Sequence, residues 1–158
     1  MQNNYNFFAM VNRMKYIDRW ALMPNANKEN IAEHSHSVAV IAHALALIGN
    51  REFGKNYNPE RAALLALYHD TTEVITGDMP TPVKYYNDEI KSVYKDIEKT
   101  AGDRLLKMLP DDYKQDYVPL FHKSDEDKQL WKLVKAADKI SALLKCIEEN
   151  RMGNREFD

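Results

Sequence analysis

Residues 58–74 read NPERAALLALYHDTTEV, and their pattern predicts a buried helix. Asn58 can cap a helix and Pro59 suits its first turn, so we expect one helix over the whole stretch. The apolar run places two ionisable side chains, His69 and Asp70, inside a buried element. Ionisable groups seldom lie in such surroundings without a partner, so the pair needs an explanation beyond packing.

Apolar residues recur at helical spacing along almost the whole chain, and no segment shows the two-residue alternation of paired strands. We therefore predict a single all-α domain over residues 1–158. The other expected helices span residues 5–17, 30–48, 88–109 and 126–150. Residues 77–82, with two prolines, predict a stiff extended loop, and residues 110–127 predict a polar connection with room for a short helix.

The bulk composition is that of an ordinary globular protein. With 22 basic and 24 acidic residues the net charge is -2, so a nucleic-acid polymer is not an expected partner. The single cysteine excludes an intrachain disulfide and fits a reducing cytoplasm. Residues 1–6 lack a secretory pattern, and the longest apolar run, residues 38–48, is too short to span a bilayer, so no membrane role is expected.

Two further residues suggest a metal site around His69 and Asp70. His34 and Asp138 each lie on a helix face that is otherwise apolar. Two imidazoles and two carboxylates suit one divalent transition metal, and Co, Mn, Fe, Ni and Zn fit equally well. Glu73 follows one helical turn after the His-Asp pair, where its acid can address a water. Taken singly, a histidine such as His34 is more simply a satisfied core residue, and Glu73 could instead belong to a structural ion pair.

The ordered set, a histidine, a His-Asp pair and a distant aspartate, resembles the H…HD…D signature of the HD superfamily of metal-dependent phosphohydrolases. A closer resemblance lies in IDRWALM (17–23), ENIAEHS (29–35), YHDTTE (68–73), TGDMPTPVKY (76–85) and KAAD (135–138). These segments are similar to the bacterial, YfbR-like, 5'-deoxynucleotidase branch of that superfamily. The resemblance implies that the all-α domain is an HD-domain helical bundle.

In that family a homodimeric enzyme uses a divalent metal to remove the 5'-phosphate from deoxyribonucleoside monophosphates. The resemblance implies that the metal ligands are His34, His69, Asp70 and Asp138. It implies a catalytic pair in which Glu73 is the acid and Arg19 orients the phosphate, with Trp20 packed where a 2'-hydroxyl would intrude. The implied substrate contacts are Arg19, Trp20, Asp70, Asp78, Met79, Pro80, Thr81 and Asp138.

Two other functions stay open. A phosphohydrolase acting on a deoxynucleoside triphosphate such as dATP needs additional cations, for which Lys84, Lys91 and Lys95 are candidates. A non-catalytic nucleotide-binding protein would keep the metal but lose the acid, and the presence of Glu73 and Arg19 argues against it. Chains of the family usually continue for some tens of residues further, so we expect a final helix to be missing or replaced.

Overall fold

The computed structural model of the chain describes residues 6–157, and helices form its framework. The helices are α1 (Phe7–Val11), α2 (Ile31–Phe53), α3 (Pro59–Tyr68), α4 (Glu73–Thr76), α5 (Thr81–Lys84), α6 (Asp88–Leu106), α7 (Asp111–Phe121) and α8 (Lys128–Arg151), with 3-10 turns at Asn12–Tyr16 and Arg155–Phe157. Within the described residues, strand-like pairing is limited to an isolated bridge between Asp18 and Asn30. The predicted all-α class is confirmed. The predicted start of the first helix, Tyr5, lies outside the described residues.

Helices α2, α3 and α8 pack against one another and form the main core. Small side chains dominate their contacts, and the most buried are Val38, Ala42, Ala46, Ala62, Leu65, Ala66, Val134 and Ala137. Because small side chains at a contact let helix axes approach closely, the polar residues on these helices are also brought close together. The first turn of α2, the end of α3 and the middle of α8 meet in this way.

A second core cluster lies beside the main core. It combines the N-terminal elements with α4 and the C-terminal end of α6, through Phe7, Met14, Ile31, Val74, Leu105, Leu106 and Leu109. The turns after α3 lie beside it, because the fully buried Thr71 donates a hydrogen bond from Oγ1 to the sulfur of Met14. Packing on both sides therefore holds the segment that follows His69.

Two helix starts agree with the prediction. Asn30 Oδ1 accepts hydrogen bonds from the amides of Ala32 at 3.0 Å and Glu33 at 3.1 Å, and the Glu33 carboxylate accepts one from the Asn30 amide. Asn58 Oδ1 accepts from the Arg61 amide at 2.8 Å, with Pro59 in the first turn. These caps satisfy backbone donors that would otherwise lack partners, so they locate the starts of α2 and α3.

The predicted end of α2 at Gly49 and Asn50 is wrong, because the helix continues to Phe53. It ends at Gly54, whose φ of 60° is the left-handed conformation that glycine adopts without strain. Gly49 instead serves packing, since a Cβ there would lie 2.8 Å from Cε2 of Tyr57. A glycine within a helical pattern was thus mistaken for a stop signal.

Three other boundaries differ from the prediction. Helix α3 ends at Tyr68, and turns at residues 69–72 separate it from α4. Aspartate and threonine side chains compete for backbone hydrogen bonds, which explains why the sequence DTT interrupts the helix. Residues 110–127 contain the 11-residue helix α7, and the extended loop at 77–82 gives way to α5 at Thr81.

Helix α2 is long enough and apolar enough to cross a membrane by length and composition alone, and in the described part of the chain one helix meets that test. The helix is longer than the apolar run at residues 38–48, from which no membrane span was predicted. The helix contains the fully buried His34, and its buried residues pack against α3 and α8. One face of α2 therefore belongs to the core of the domain, while other side chains of this helix, such as Val40, are exposed.

Candidate active site

Four polar residues from distant parts of the chain meet beside the end of α3. His34 lies in the first turn of α2, and its Nε2 is 3.0 Å from Asp138 Oδ1 in α8 and 3.6 Å from Asp70 Oδ2. His69 follows the last residue of α3, and its Nε2 is 3.1 Å from Asp70 Oδ2. The structure therefore brings together all four residues that the resemblance implied as metal ligands.

The second ring nitrogen of each histidine is also held. His69 Nδ1 lies 2.6 Å from the carbonyl oxygen of Ala66, which can only accept, so Nδ1 carries the hydrogen and Nε2 presents its lone pair to the cluster. His34 Nδ1 lies 3.2 Å from Oγ of the buried Ser141. Sequence reasoning missed Ser141, although it follows Asp138 by three residues and so lies on the same face of α8.

The donor set fits a divalent cation. One ligand atom each from His34, His69 and Asp70 lie within 4.8 Å of one another, and Asp138 adjoins His34. Imidazole nitrogens and carboxylate oxygens at such distances repel through their lone pairs unless a proton or a cation lies between them. Nitrogen and oxygen donors in this number are what divalent transition metals bind in proteins.

Electrostatics keep the two aspartates ionised. Burial by itself would raise the pKa of Asp70, but the adjacent His69 and the nearby His34 hold it well below its ordinary value. Burial acts in the same way on Asp138, and the hydrogen bond with His34 lowers its pKa. For His69, burial by itself would lower the pKa. The carboxylates of Asp70 and Asp138 outweigh this effect, so the pKa of His69 is raised. The cluster thus offers negative charge to a cation.

Glu73 is a buried acid beside the cluster. Burial, followed by the negative charges of Asp70 and Asp78, raises the pKa of Glu73 to about 9. Its Oε2 atom has no hydrogen-bond partner among the described residues. The expectation that Glu73 shares a helix face with His69 is wrong, because turns separate α3 from α4. Glu73 reaches the site because those turns place the first residue of α4 next to Asp70, whose carbonyl accepts from the Glu73 amide at 2.9 Å.

Arg19 and Trp20 lie on the loop that precedes α2. The guanidinium of Arg19 lies 5.3 Å from the ring of Trp20, and its positive charge contributes to the low pKa of Asp70, so it faces the cluster. Both side chains donate to Glu29 Oε2, from Arg19 Nη1 at 2.5 Å and from Trp20 Nε1 at 3.0 Å. Sequence reasoning quoted Glu29 within a motif but gave it no role.

Residues 78–81 lie on the other side of this loop. Asp78 accepts a hydrogen bond from the backbone amide of Trp20, while burial raises the pKa of its carboxyl group. Asp78, Met79 and Pro80 are half-buried, whereas Thr81 is exposed at the start of α5. Of the predicted substrate contacts, Thr81 is therefore the one that is most open to solvent.

The profile of the family described as 5'-deoxynucleotidase YfbR-like matches residues 6–158. The chain belongs to this family. Similarity to individual YfbR-like enzymes extends over most of the chain. It is 56% identical to a curated 5'-deoxynucleotidase of Vibrio parahaemolyticus, over 96% of this chain and 78% of that protein. It is 53% identical to one from Vibrio cholerae, over 99% of this chain and 80% of that protein.

Solved structures share the fold of this YfbR-like chain. An HD-domain phosphohydrolase of Listeria innocua matches with a TM-score of 0.83 at 24% identity, over 95% of this chain and 71% of that chain. A cyanophage S-2L HD phosphohydrolase, bound to dA and one catalytic Zn²⁺ ion, matches with a TM-score of 0.65 at 23% identity. The match covers 87% of this chain and 69% of that chain. The predicted HD-domain bundle is confirmed.

Proposed function

We propose that this protein is a metal-dependent 5'-deoxynucleotidase, which hydrolyses deoxyribonucleoside 5'-monophosphates to deoxyribonucleosides and phosphate. The observation that supports this best is the meeting of His34, His69, Asp70 and Asp138 within 3.0 to 3.6 Å of their neighbours. The curated relatives that carry the activity in their names are more than half identical to this chain, which supports the same substrate class.

The four clustered residues would hold the metal, and Co, Mn, Fe, Ni and Zn all suit their nitrogen and oxygen donors. When bound, a divalent cation supplies Lewis acidity toward the phosphoryl group and lowers the pKa of water. The low pKa values of Asp70 and Asp138 favour this role, because both carboxylates stay ionised when the metal arrives. Both aspartates would also contact the bound phosphate or sugar.

The remaining residues would bind and orient the nucleotide. Arg19 offers a planar fork of N–H donors, which matches two phosphate oxygens, and it already faces the carboxylate cluster. Trp20 would pack against C2' of the sugar and exclude a 2'-hydroxyl by contact. Residues 78–81 would line the nucleotide on the other side of Trp20, as the hydrogen bond between Asp78 and the Trp20 amide suggests.

Glu73 would handle the proton of the reaction. Hydrolysis adds water to phosphorus and breaks the bond to the 5'-oxygen, so the water loses a proton and the 5'-oxygen gains one. A buried acid whose Oε2 atom has no hydrogen-bond partner in the described part of the chain is placed to make one of these transfers. Burial and negative neighbours favour the protonated acid, while a nearby cation favours the carboxylate, and both forms serve acid–base catalysis.

The triphosphate alternative has less support from the site. Of the three lysines considered for additional phosphates, Lys84 donates to Glu98 at 2.8 Å and lies 4.7 Å from the ring centre of Tyr94, so its charge is already paired. Lys91 and Lys95 are exposed on α6, as solvated helix charges usually are. A monophosphate substrate requires neither of them.

Phosphate release from dAMP, AMP and dATP under several divalent metals tests the proposal. We expect metal-dependent release from dAMP, little from AMP and little from dATP. His69→Ala should abolish it, while His36→Ala, which removes an exposed histidine of α2, should not. Preference for dATP would favour the alternative, and binding of dAMP without phosphate release would favour a non-catalytic protein. Equal rates on AMP and dAMP would contradict the role of Trp20.

We further propose that residues 1–158 form one HD domain that works in the cytoplasm as a homodimer, without membrane or nucleic-acid polymer partners. The net charge of -2 supports the last point. Apolar side chains exposed on the outer faces of α2 and α8 support a subunit contact, among them Val40 at 58%, Leu143 at 57% and Leu144 at 48%.

A further inference from the structure

One carboxylate oxygen connects the two substrate residues of the N-terminal loop. Glu29 Oε2 accepts from Arg19 Nη1 at 2.5 Å and from Trp20 Nε1 at 3.0 Å. The side chains of Arg19 and Glu29 are only 12% and 16% exposed, so solvent screens this ion pair less than a surface pair. A shift of Glu29 would therefore disturb both Arg19 and Trp20.

The backbone fixes Glu29 in place. The Arg19 amide donates to the Glu29 carbonyl at 2.9 Å, and the Ile31 amide donates to the Ile17 carbonyl at 3.0 Å. These bonds close the loop at its base, immediately before the first residue of α2. Trp20 itself lies at a φ of 61°, a conformation that costs free energy for a bulky residue and persists only when its surroundings hold it.

The charge of Glu29 also limits where the guanidinium can go. Arg19 lies close enough to the carboxyl groups of Asp70, Glu73 and Asp78 for its positive charge to favour the ionised form of each. Without a partner on the outer side, attraction would draw the guanidinium toward the cation ligands. Bound through Nη1 to Glu29, Arg19 keeps its other N–H donors for an incoming anion.

We propose that Glu29 is a positioning residue that sets phosphate affinity through Arg19 and sugar discrimination through Trp20. The proposal rests on the proposed deoxynucleotidase function, because the two effects are effects on nucleotide recognition. Glu29 does not itself contact substrate. The hydrogen bond between Glu29 and Arg19 is charge-assisted, whereas the one from Trp20 requires only an acceptor. A substitution can therefore remove one effect and keep the other.

Glu29→Gln and Glu29→Ala separate the two effects in steady-state kinetics with dAMP and AMP. The glutamine retains an acceptor for Trp20 but loses the charge, so we expect the KM for dAMP to rise about tenfold while the preference for dAMP over AMP stays. The alanine loses both contacts, so KM should rise by at least as much and the preference should fall about fivefold. In both variants kcat should change less than KM.

Asp18→Asn is the matched control, because Asp18 is a carboxylate of the same loop whose ion pair with Lys28 is exposed. We expect its kinetics to match those of the wild type. Unchanged KM and preference in Glu29→Ala would overturn the proposal. So would an equal loss of kcat on both nucleotides together with a lower Tm, because that result describes a structural role only.

Tryptophan fluorescence keeps the proposal testable apart from catalysis. The chain has two tryptophans, so a Trp131→Phe background leaves Trp20 as the reporter. Loss of the indole hydrogen bond should shift the emission maximum of Trp20 in Glu29→Ala. The emission of Glu29→Gln should match that of the Trp131→Phe protein. An unchanged spectrum in Glu29→Ala would contradict the contact. If the wild type released no phosphate from dAMP, the proposed function would be wrong. The fluorescence measurement would still show whether Glu29 binds the indole of Trp20.

Discussion

Glu73 illustrates how a single side chain can acquire its chemistry from its surroundings. Its exposed fraction is only 7%, and negative neighbours act in the same direction as burial, raising its pKa to about 9. An ordinary surface glutamate is ionised at neutral pH, whereas these surroundings favour the acid. Because Oε2 has no partner among the described residues, the group is available to a substrate oxygen or to water.

Replacing Glu73 by glutamine tests this role at constant shape. We expect Glu73→Gln to lower kcat for dAMP by about 10²- to 10⁴-fold, the usual contribution of a positioned acid or base. The rise in Tm that a divalent metal produces should remain, because the four clustered ligands are untouched. Glu60→Gln, at an exposed position of α3, is the control. A Glu73→Gln enzyme with wild-type kcat would show that the residue has no part in proton transfer.

At the scale of elements, the start of α2 connects the loop that carries Arg19 and Trp20 with the cluster of His34, His69, Asp70 and Asp138. The bridge between Asp18 and Asn30 closes the loop, Asn30 caps the helix, and His34 follows within the first turn. The position of His34 therefore depends on where the helix begins. A comparable cap, Asn58, starts α3, but the site lies at the opposite end of that helix.

Loss of the two caps should have similar effects on stability but different effects on the site. Asn30→Ala and Asn58→Ala should each lower the free energy of unfolding by about 1 kcal/mol, measured by urea denaturation. Only Asn30→Ala should raise the metal concentration that gives half of the full increase in Tm, because fraying at the start of α2 displaces His34. Identical metal dependence in the two variants would contradict this connection.

Some residues of the site could be predicted from the sequence because their chemistry contrasts with their neighbours, and others could not because they lack such a contrast. His34, His69, Asp70 and Asp138 were identifiable because ionisable residues stood out against apolar helical faces. The roles of Arg19 and Trp20 came only from the family resemblance, since alone they are a common arginine and a common aromatic. Glu29 and Ser141 contact Arg19, Trp20 and His34 only in the folded chain, so their positions in the sequence gave no sign of these contacts.

Secondary structure was also predictable where the signal is local, and not where it comes from tertiary packing. Local signals located the starts of α2 and α3, because a cap involves neighbouring residues. Gly49 was misread, because its close contact with Tyr57 lies across a turn and leaves no local trace. Helix α7 was expected only as part of a polar connection, because few of its residues are buried and the burial of Leu120 comes from tertiary packing.

For the whole molecule, a fully buried carboxylate, that of Glu149, connects the loop before α2 with the C-terminal part of the chain. Glu149 accepts hydrogen bonds from the amides of Ala26 at 2.7 Å and Asn27 at 3.1 Å, and from Asn154 Nδ2 at 2.7 Å. Lys145, one turn earlier on α8, pairs with Glu149 and donates to the Asn27 carbonyl. The far side of the substrate loop is therefore held by α8.

The contribution of Glu149 to stability should depend on pH. The hydrogen bonds from Lys145 and the Ala26 amide lower its pKa to about 2, from an ordinary 4.5. A lowered folded-state pKa stabilises the fold above the ordinary value, and the stabilisation is lost as the pH falls toward 2. In urea denaturation, Glu149→Gln should therefore be more destabilising near neutral pH than at about pH 3. If Glu149→Gln lowered the free energy of unfolding equally at both pH values, the ionised state of Glu149 would be contradicted.

The long sequence separations across the site have a consequence for synthesis on the ribosome. Asp138 is 104 residues from His34, and Glu149 is 123 residues from Ala26. Translation delivers the N-terminal elements first, so His34 and His69 emerge before Asp138 and Glu149 of α8. A nascent chain that ends before α8 lacks Asp138, one of the four proposed metal ligands, and lacks the contacts of Glu149 with the loop before α2. We therefore expect nucleotidase activity to begin only after the ribosome has delivered the last long helix.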